Sequence, residues 1–467
     1  MSAWHEDPVA AASNHPYFDP PTARSTIRVT NVYGTEWLPV EDLDGIVPVT
    51  GRLRFGRLAD AYTRGADQLP AVVATRELDA AELGFRRWAG TAERAGVWLF
   101  VLPSGRAVVG LTIDFSGAPL DAIDLLEDCY YGDVTAAGTD VADLAARLAR
   151  ESGIPAAEGL APERHQLVFL PVLEERYRQG PERFDLMQRL VYRADLPSSE
   201  ESSSIEFPGE LNRHSYAPAA VGPYVSVLAG QQDYVENAAL VSAVQCVGAE
   251  VMSRKIWEDA NEDFRRFHDD VATAGSRQQR LALEPIARKI ARRKTQLSHD
   301  VESVRELDLV VRSLRVLSFH KSLFDAMGLR ERCEVVDRLL ARNEQAMSAE
   351  ATAIASAERR ADDVRRFGWS LAVVSTSTFA IPVTVLLAFF GVNAAEVDGS
   401  ASMFSAAYLP VYLATVAVCL IVGAGPAVAW TLVQRSRLRQ ESERSQEAVN
   451  LAGSQDLIRR RRIPIRR

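Results

Sequence analysis

Two long stretches of this chain carry no charge at all. From Trp369 to Phe390 it reads WSLAVVSTSTFAIPVTVLLAFF, and from Phe404 to Val433 FSAAYLPVYLATVAVCLIVGAGPAVAWTLV. A helix needs about 20 apolar residues to cross a hydrocarbon core, so each stretch has the length for a span. Arg359, Arg360, Arg365 and Arg366 precede the pair, and Arg435, Arg437, Arg439 and Arg444 follow it. The connecting segment from Ala394 to Met403 holds Glu396 and Asp398 and no base. The bias of basic residues toward the cytoplasmic side predicts two transmembrane helices, with both chain ends inside and the loop outside. Trp369 and Trp430 sit near the inner boundary, where indole rings favour the headgroup zone. Buried helices of a globular domain are the alternative reading of the same stretches.

The rest of the chain is polar enough that the mean hydropathy is only −0.08. The net charge of −9 places acid in the body while the flanks of the apolar pair are basic. That asymmetry argues against nucleic acid as a partner and fits a body that attracts cations. Four cysteines, Cys129, Cys246, Cys333 and Cys419, form no CxxC pair, so neither a disulfide framework nor a zinc knuckle is indicated. The histidines lack HxxxH or HExxH spacing, no GxxxxGK[ST] run is present, and Ser104-Gly105 reads as a turn rather than a nucleophile elbow. An enzyme is not expected.

The organisation along the chain follows from composition. Residues 1–25 are polar and Pro-rich, unlike a secretory leader, and read as a disordered arm. Residues 26–210 read as an α/β cytoplasmic domain. Within it VWLFVLP (97–103) and AVVGLTIDF (107–115) flank Ser104-Gly105-Arg106 as a hairpin. VADLAARLARESG (141–153) is an amphipathic helix closed by Gly153, QLVFLPVL (166–173) is a strand, and the Ser/Glu/Pro-rich 196–210 is a loop. Residues 211–367 read as a long helical or coiled stalk. Its stripes are Val241, Val244, Val247, Val251; then Val304, Leu307, Val311, Leu314, Leu317; then Val336, Leu339, Asn343, Met347, Ile354. Breaks near 272–275 and at Met327-Gly328 predict three helices, the third running without a breaker from about Arg330 to Gly368 and onward into the apolar stretch. The remaining boundaries are 368–392 for the first span, 393–403 for the external loop, 404–433 for the second span and 434–467 for a basic cytoplasmic tail. The fold class expected is therefore α+β, with a helical stalk and two C-terminal transmembrane helices.

Ile381-Pro382-Val383-Thr384 and Phe389-Phe390-Gly391-Val392-Asn393 resemble the "PLT…YGMN" segment of the CorA-type divalent-cation transporters, and Tyr408-Leu409-Pro410-Val411 is similar to the start of that family's second span. The close match covers some 60 residues; upstream only the order of parts is similar. Phe390 and Val392 stand where the family has Tyr and Met, and the loop offers Glu396 and Asp398 in place of a Glu-x-x-Pro-Glu run. The resemblance implies a homopentamer in the cytoplasmic membrane, with the first spanning helix lining a central pore. It further implies magnesium as the cation moved, with zinc, cobalt or nickel as alternatives.

Magnesium sheds water reluctantly, so a ring of Asn393 amides suits the hydrated ion without a fixed charge that would trap it. Gly391 lets the backbone turn where a Cβ would obstruct it. Inward from Thr384, spacings of three and four give Ile381, Ser377, Val373, Ser370, Phe367 and Asp363 as the pore-lining stripe, with Phe367 as a constriction. Ser375, Thr376, Ser377 and Thr378 either serve water there or pack against neighbouring helices. The acid-rich Glu258–Asp263 and His268–Asp270 read either as solvated helix faces or as a regulatory cation site. Two functions are carried forward: a channel-like transporter of divalent cations, and a CorA-like scaffold or sensor anchored in the membrane without conduction.

Overall fold

The computed structural model describes residues 26–392 and 405–418, apart from 41–42, 44–47, 50–52, 54, 158, 179, 195–204, 274–275 and 310. The N-terminal arm, the loop 393–403 and the tail 434–467 lie outside the described residues. The chain divides into two units, Met1–Ala351 and Thr352–Arg467.

In the first unit the strands are β1 (Thr26–Gly34), β2 (Ala71–Leu78), β3 (Leu83–Gly84), β4 (Ala92–Val101), β5 (Ala107–Ser116), β6 (Thr135–Ala136), β7 (Thr139–Asp140), β8 (Arg164–Leu170), β9 (Ala219–Val221) and β10 (Val225–Ala229). Seven of them form one sheet in the order β2-β4-β5-β1-β8-β10-β9, and β3, β6 and β7 form a small second sheet. Within the large sheet β8 and β10 pair in parallel and every other pair is antiparallel. The helices of this unit are α1 (Ala59–Arg64), α2 (Ala122–Tyr131), α3 (Val141–Glu151), α4 (Pro181–Tyr192), α5 (Asp233–Thr273), α6 (Ser276–Asp300) and α7 (Leu314–Ala326), followed by α8 (Leu329–Val392), which continues into the second unit.

Strand periodicity sorts the sheet into two faces. Ile27, Val29, Leu99, Val109, Leu111, Ile113 and Phe115 turn to one core, together with the buried faces of α2, α3 and α4. Arg28, Thr30 and Val32 stand opposite Asp114, Thr112 and Gly110 across β1 and β5, on the other face. That face is covered by α5, whose residues from Tyr234 to Ser253 are buried without interruption. A helix buried on every side must be covered on every side, and α6, α7 and the 3-10 helix Glu302–Leu309 close the side away from the sheet. Gly248 permits the close approach at one end: a Cβ there would stand 2.5 Å from Leu102 Cδ2.

The predicted hairpin is present as β4 and β5, and the predicted helix 141–153 as α3, with Gly153 at φ +76° just beyond it. The third stripe is buried throughout, and α8 is one helix of 64 residues. The second stripe is not one helix. Residues 302–309 form a 3-10 helix in which Glu306 leaves helical geometry, α7 begins only at Leu314, and Leu314 is left 67% exposed.

The membrane prediction is corrected. Among the described residues no helix is long and apolar enough to cross a membrane. The first proposed span, 368–392, is the distal part of α8, in which the side chains of 375, 378–379, 381–383, 385–387 and 389–392 lie outside the described residues. In the second proposed span, 404–433, the described part is a 3-10 turn at Ala406–Tyr408 and a helical run over 409–418. The two transmembrane helices, the membrane-protein assignment and the multi-pass inner-membrane localisation with cytoplasmic termini are therefore withdrawn.

Candidate functional site

The polar chemistry of the first unit is concentrated along α5. At its N-terminal end Arg28 is 2% exposed and grips Asp114 with a fork, Nε to Oδ1 at 2.8 Å and Nη2 to Oδ2 at 3.1 Å. Its Nη1 reaches Glu236 on α5 at 3.2 Å, while Arg94 Nη2 donates to Asp114 Oδ2 at 2.7 Å. Burial works against the charge on Arg28, but Glu236 and Asp114 outweigh it and raise its pKa above the ordinary value. Two strands and one helix are thereby tied through a single guanidinium.

At the middle of α5 a second group forms. Arg254 donates to Glu163 and also pairs with Glu36 and Glu258, and the hydrogen bond to Glu163 is the main reason its pKa is raised. Glu250, 8% exposed, pairs with Arg332 of α8 at 2.8 Å. Its carboxyl is pushed up to about 7, chiefly because burial penalises the charge, with Arg332 pulling the other way. A carboxyl with a higher pKa folded than unfolded contributes stability that is full below its ordinary 4.5 and is lost as pH rises toward 7. His165 and His320, held down to about 4 by burial, contribute with the opposite sign, losing stability as pH falls. Glu250→Gln is therefore expected to remove about 2–3 kcal/mol of the stability difference between about pH 5 and pH 8. Urea unfolding of both proteins at the two pH values measures it, since the histidine contributions are common to both.

The acid-rich run on α5 is neutralised by bases. Glu258 pairs with Arg254, Asp259 with Arg293, Glu262 with Arg266, and Asp263 with Lys289 and Arg293. The side chains of His268, Asp269 and Asp270 lie outside the described residues. Among the described residues no group of three or more His, Cys, Asp or Glu could hold a metal ion. Cys129, Cys246 and Cys333 are free and buried, and burial raises all three thiols.

The residues singled out for ion selection lie on α8 or beyond it. Gly391 and Val392 are its last two residues; Asn393, Glu396 and Asp398 lie outside the described residues. Along the proposed stripe Asp363, Ser370, Val373, Ser377 and Thr384 are exposed and Phe367 is half-buried, whereas the side chain of Ile381 lies outside the description. Ser370 Oγ donates to the Phe367 carbonyl at 2.9 Å and Thr384 Oγ1 to the Ala380 carbonyl at 2.7 Å, so these hydroxyls serve their own helix. The same segment exposes Val364, Trp369, Leu371 and Val374, and Trp369 is 76% exposed. A lone exposed apolar residue is ordinary; these lie in a row along one helix.

Arg28, Asp114, Glu236 and Glu250 escaped the sequence reading. Their signal was a charge inside an otherwise apolar run: TIRVTNVYG, AVVGLTIDF, and the stretch YVENAALVSAVQCVGAEV. No family model, curated protein or solved structure matches the chain.

Proposed function

We propose that the chain is a non-enzymatic, self-assembling scaffold or sensor of CorA-like organisation, which joins copies of itself through the distal part of α8. The observation that carries this reading is the spacing of Val364, Phe367, Leu371 and Val374. Steps of three, four and three place them in one seam, with Thr378 and Ile381 at the next two positions in sequence. Such alternation is the repeat of a coiled coil, whose seam residues pack as knobs into holes on a partner helix. Three of the four, Val364, Leu371 and Val374, are exposed. Conduction is not carried forward, because it needs a path across a bilayer.

The cation implied by the resemblance, magnesium before zinc, cobalt or nickel, belongs in this reading between copies, where carboxylates such as Asp363 from neighbouring chains would converge. Sedimentation velocity of the full chain tests the assembly. The wild type is expected to sediment as a homo-oligomer, five copies by the resemblance, and the Leu371→Ser, Val374→Ser double variant as a monomer with unchanged circular dichroism of the α/β body. A monomeric wild type, or a double variant that assembles equally well, would sink the proposal. Repeating the run with magnesium or with chelator reads the cation: only a shift in oligomer size supports a sensor over a plain scaffold.

A further inference from the structure

Acids outnumber bases where α5 meets the start of α8. Glu36 follows β1, Glu163 precedes β8, and Glu250 and Glu258 stand on α5; the bases paired with them are Arg254 of α5 and Arg332 of α8. Arg254 is taken up by Glu36, Glu163 and Glu258, and the remaining acid, Glu250, pairs with Arg332 at 2.8 Å.

The two partners of that last pair sit in different surroundings. The Glu250 side chain is 11% exposed, whereas that of Arg332 is 47% exposed. A pair with a half-exposed guanidinium is screened by water and adds little. Keeping a carboxylate out of water is the larger effect. Around Glu250 stand Arg332 from α8, Glu163 from the segment before β8, and Arg254 and the buried, neutral Cys246 thiol from α5 itself. Burial and Glu163 favour the protonated carboxyl, the two arginines favour the ionised one, and burial is the largest influence.

The first turns of α8 are the part able to relieve this. They start just after Gly328, whose φ of +67° turns the chain out of α7. One side of them is covered: Leu329, Cys333, Val336, Leu340 and Asn343 are buried, while Glu331, Arg332, Glu334 and Val335 are exposed. Two polar ties hold them to α5, Arg332 to Glu250 and Asn343 Nδ2 to the Ala260 carbonyl at 3.1 Å. Lifting these turns admits water to Glu250 without breaking any strand pairing. We propose that the contact between α5 and the first turns of α8 is a pH-sensitive latch, closed when Glu250 carries its proton and loosened when the carboxylate ionises. A carboxyl held at about 7 in the closed form, against an ordinary 4.5, stabilises that form fully below 4.5 and ceases to do so as pH rises through 7. Once open, Glu250 is ionised throughout the range from pH 6 to pH 8, so the open population should grow about tenfold across it. His165 and His320, held down to about 4, stay neutral over the same range.

Native-state hydrogen exchange of the full chain, read by mass spectrometry at pH 6 and pH 8 and corrected for the intrinsic effect of pH, tests the latch. Amides over 329–343 are expected to open about tenfold more often at pH 8, and at both pH values more often than those of β1 and β5, which wait for global unfolding. Low urea should leave the α8 amides unchanged and speed those of β1 and β5, which separates a local opening from loss of the whole fold. Glu250→Gln, the neutral isostere, should give the same corrected rate over 329–343 at both pH values. The latch lies within the first unit, so the Leu371→Ser, Val374→Ser double variant should show the wild-type rise whether or not copies assemble. Equal corrected rates in the wild type at the two pH values, α8 amides no faster than those of β1, or a tenfold rise that persists in Glu250→Gln overturns the proposal. The first two outcomes need the wild type alone and stand even where the variant fails to fold.

Discussion

Arg28→Ala is expected to destabilise the α/β body by about 3–5 kcal/mol, the largest effect of any single truncation in its polar interior. Arg28 is 2% exposed, and its guanidinium satisfies both oxygens of Asp114 and reaches both oxygens of Glu236. Removing it leaves Asp114, whose side chain is 3% exposed, leaning on Arg94 alone, and takes from Glu236 its contact with the sheet. The loss is chiefly the cost of burying carboxylates without their counter-charge, not the worth of the pair itself. Two further variants separate those quantities. Arg28→Lys keeps the charge but cannot form the fork, so it should fall between wild type and alanine. Replacing Arg28, Asp114 and Glu236 together by Met, Leu and Leu should recover much of the loss. Urea unfolding followed by the fluorescence of the buried Trp37 and Trp98 gives the comparison. A midpoint for Arg28→Ala within error of wild type would show that the cluster is solvated in solution.

The same cluster shows what the sequence does and does not reveal. Alternation in TIRVTNVYG and AVVGLTIDF puts Arg28 and Asp114 each on the strand face that also carries Thr30 or Thr112, so a charge on an inward face is legible once register is known. Register is not legible, because it is set by pairing between segments 86 residues apart. Local elements are the readable ones. The β4–β5 turn is announced by Ser104-Gly105, and α3 by its stripe and its closing Gly153. The strand expected over 166–173 stops at Leu170 because Pro171 has no N–H for the ladder. The stripe over 304–317 misled because periodicity survives a break that shifts the helix axis, as Leu314 on the surface demonstrates. The spacing of Val364, Phe367, Leu371 and Val374 is legible in the sequence beside the stripe through Ser370, Val373 and Ser377.

Gly105→Val is expected to cost roughly 2–5 kcal/mol. Two independent penalties meet at this residue. Its φ is +78°, a conformation that costs a residue with a Cβ about 1–2 kcal/mol and a β-branched one more. A Cβ built there would also stand 2.5 Å from the carbonyl oxygen of Val40. That contact is to backbone, and the backbone is pinned: Val40 N–H donates to the Gly105 carbonyl at 2.9 Å, and Gly105 N–H to the Leu102 carbonyl at 2.8 Å. Relief by moving either segment breaks one of these bonds, so overpacking adds a further 1–3 kcal/mol or so. Gly105→Ala meets the same oxygen with a smaller conformational penalty and should lose about half as much. Urea unfolding of both variants measures these losses. A variant with wild-type stability would mean that Val40 yields freely, and the hairpin tip would then be a soft edge of the fold.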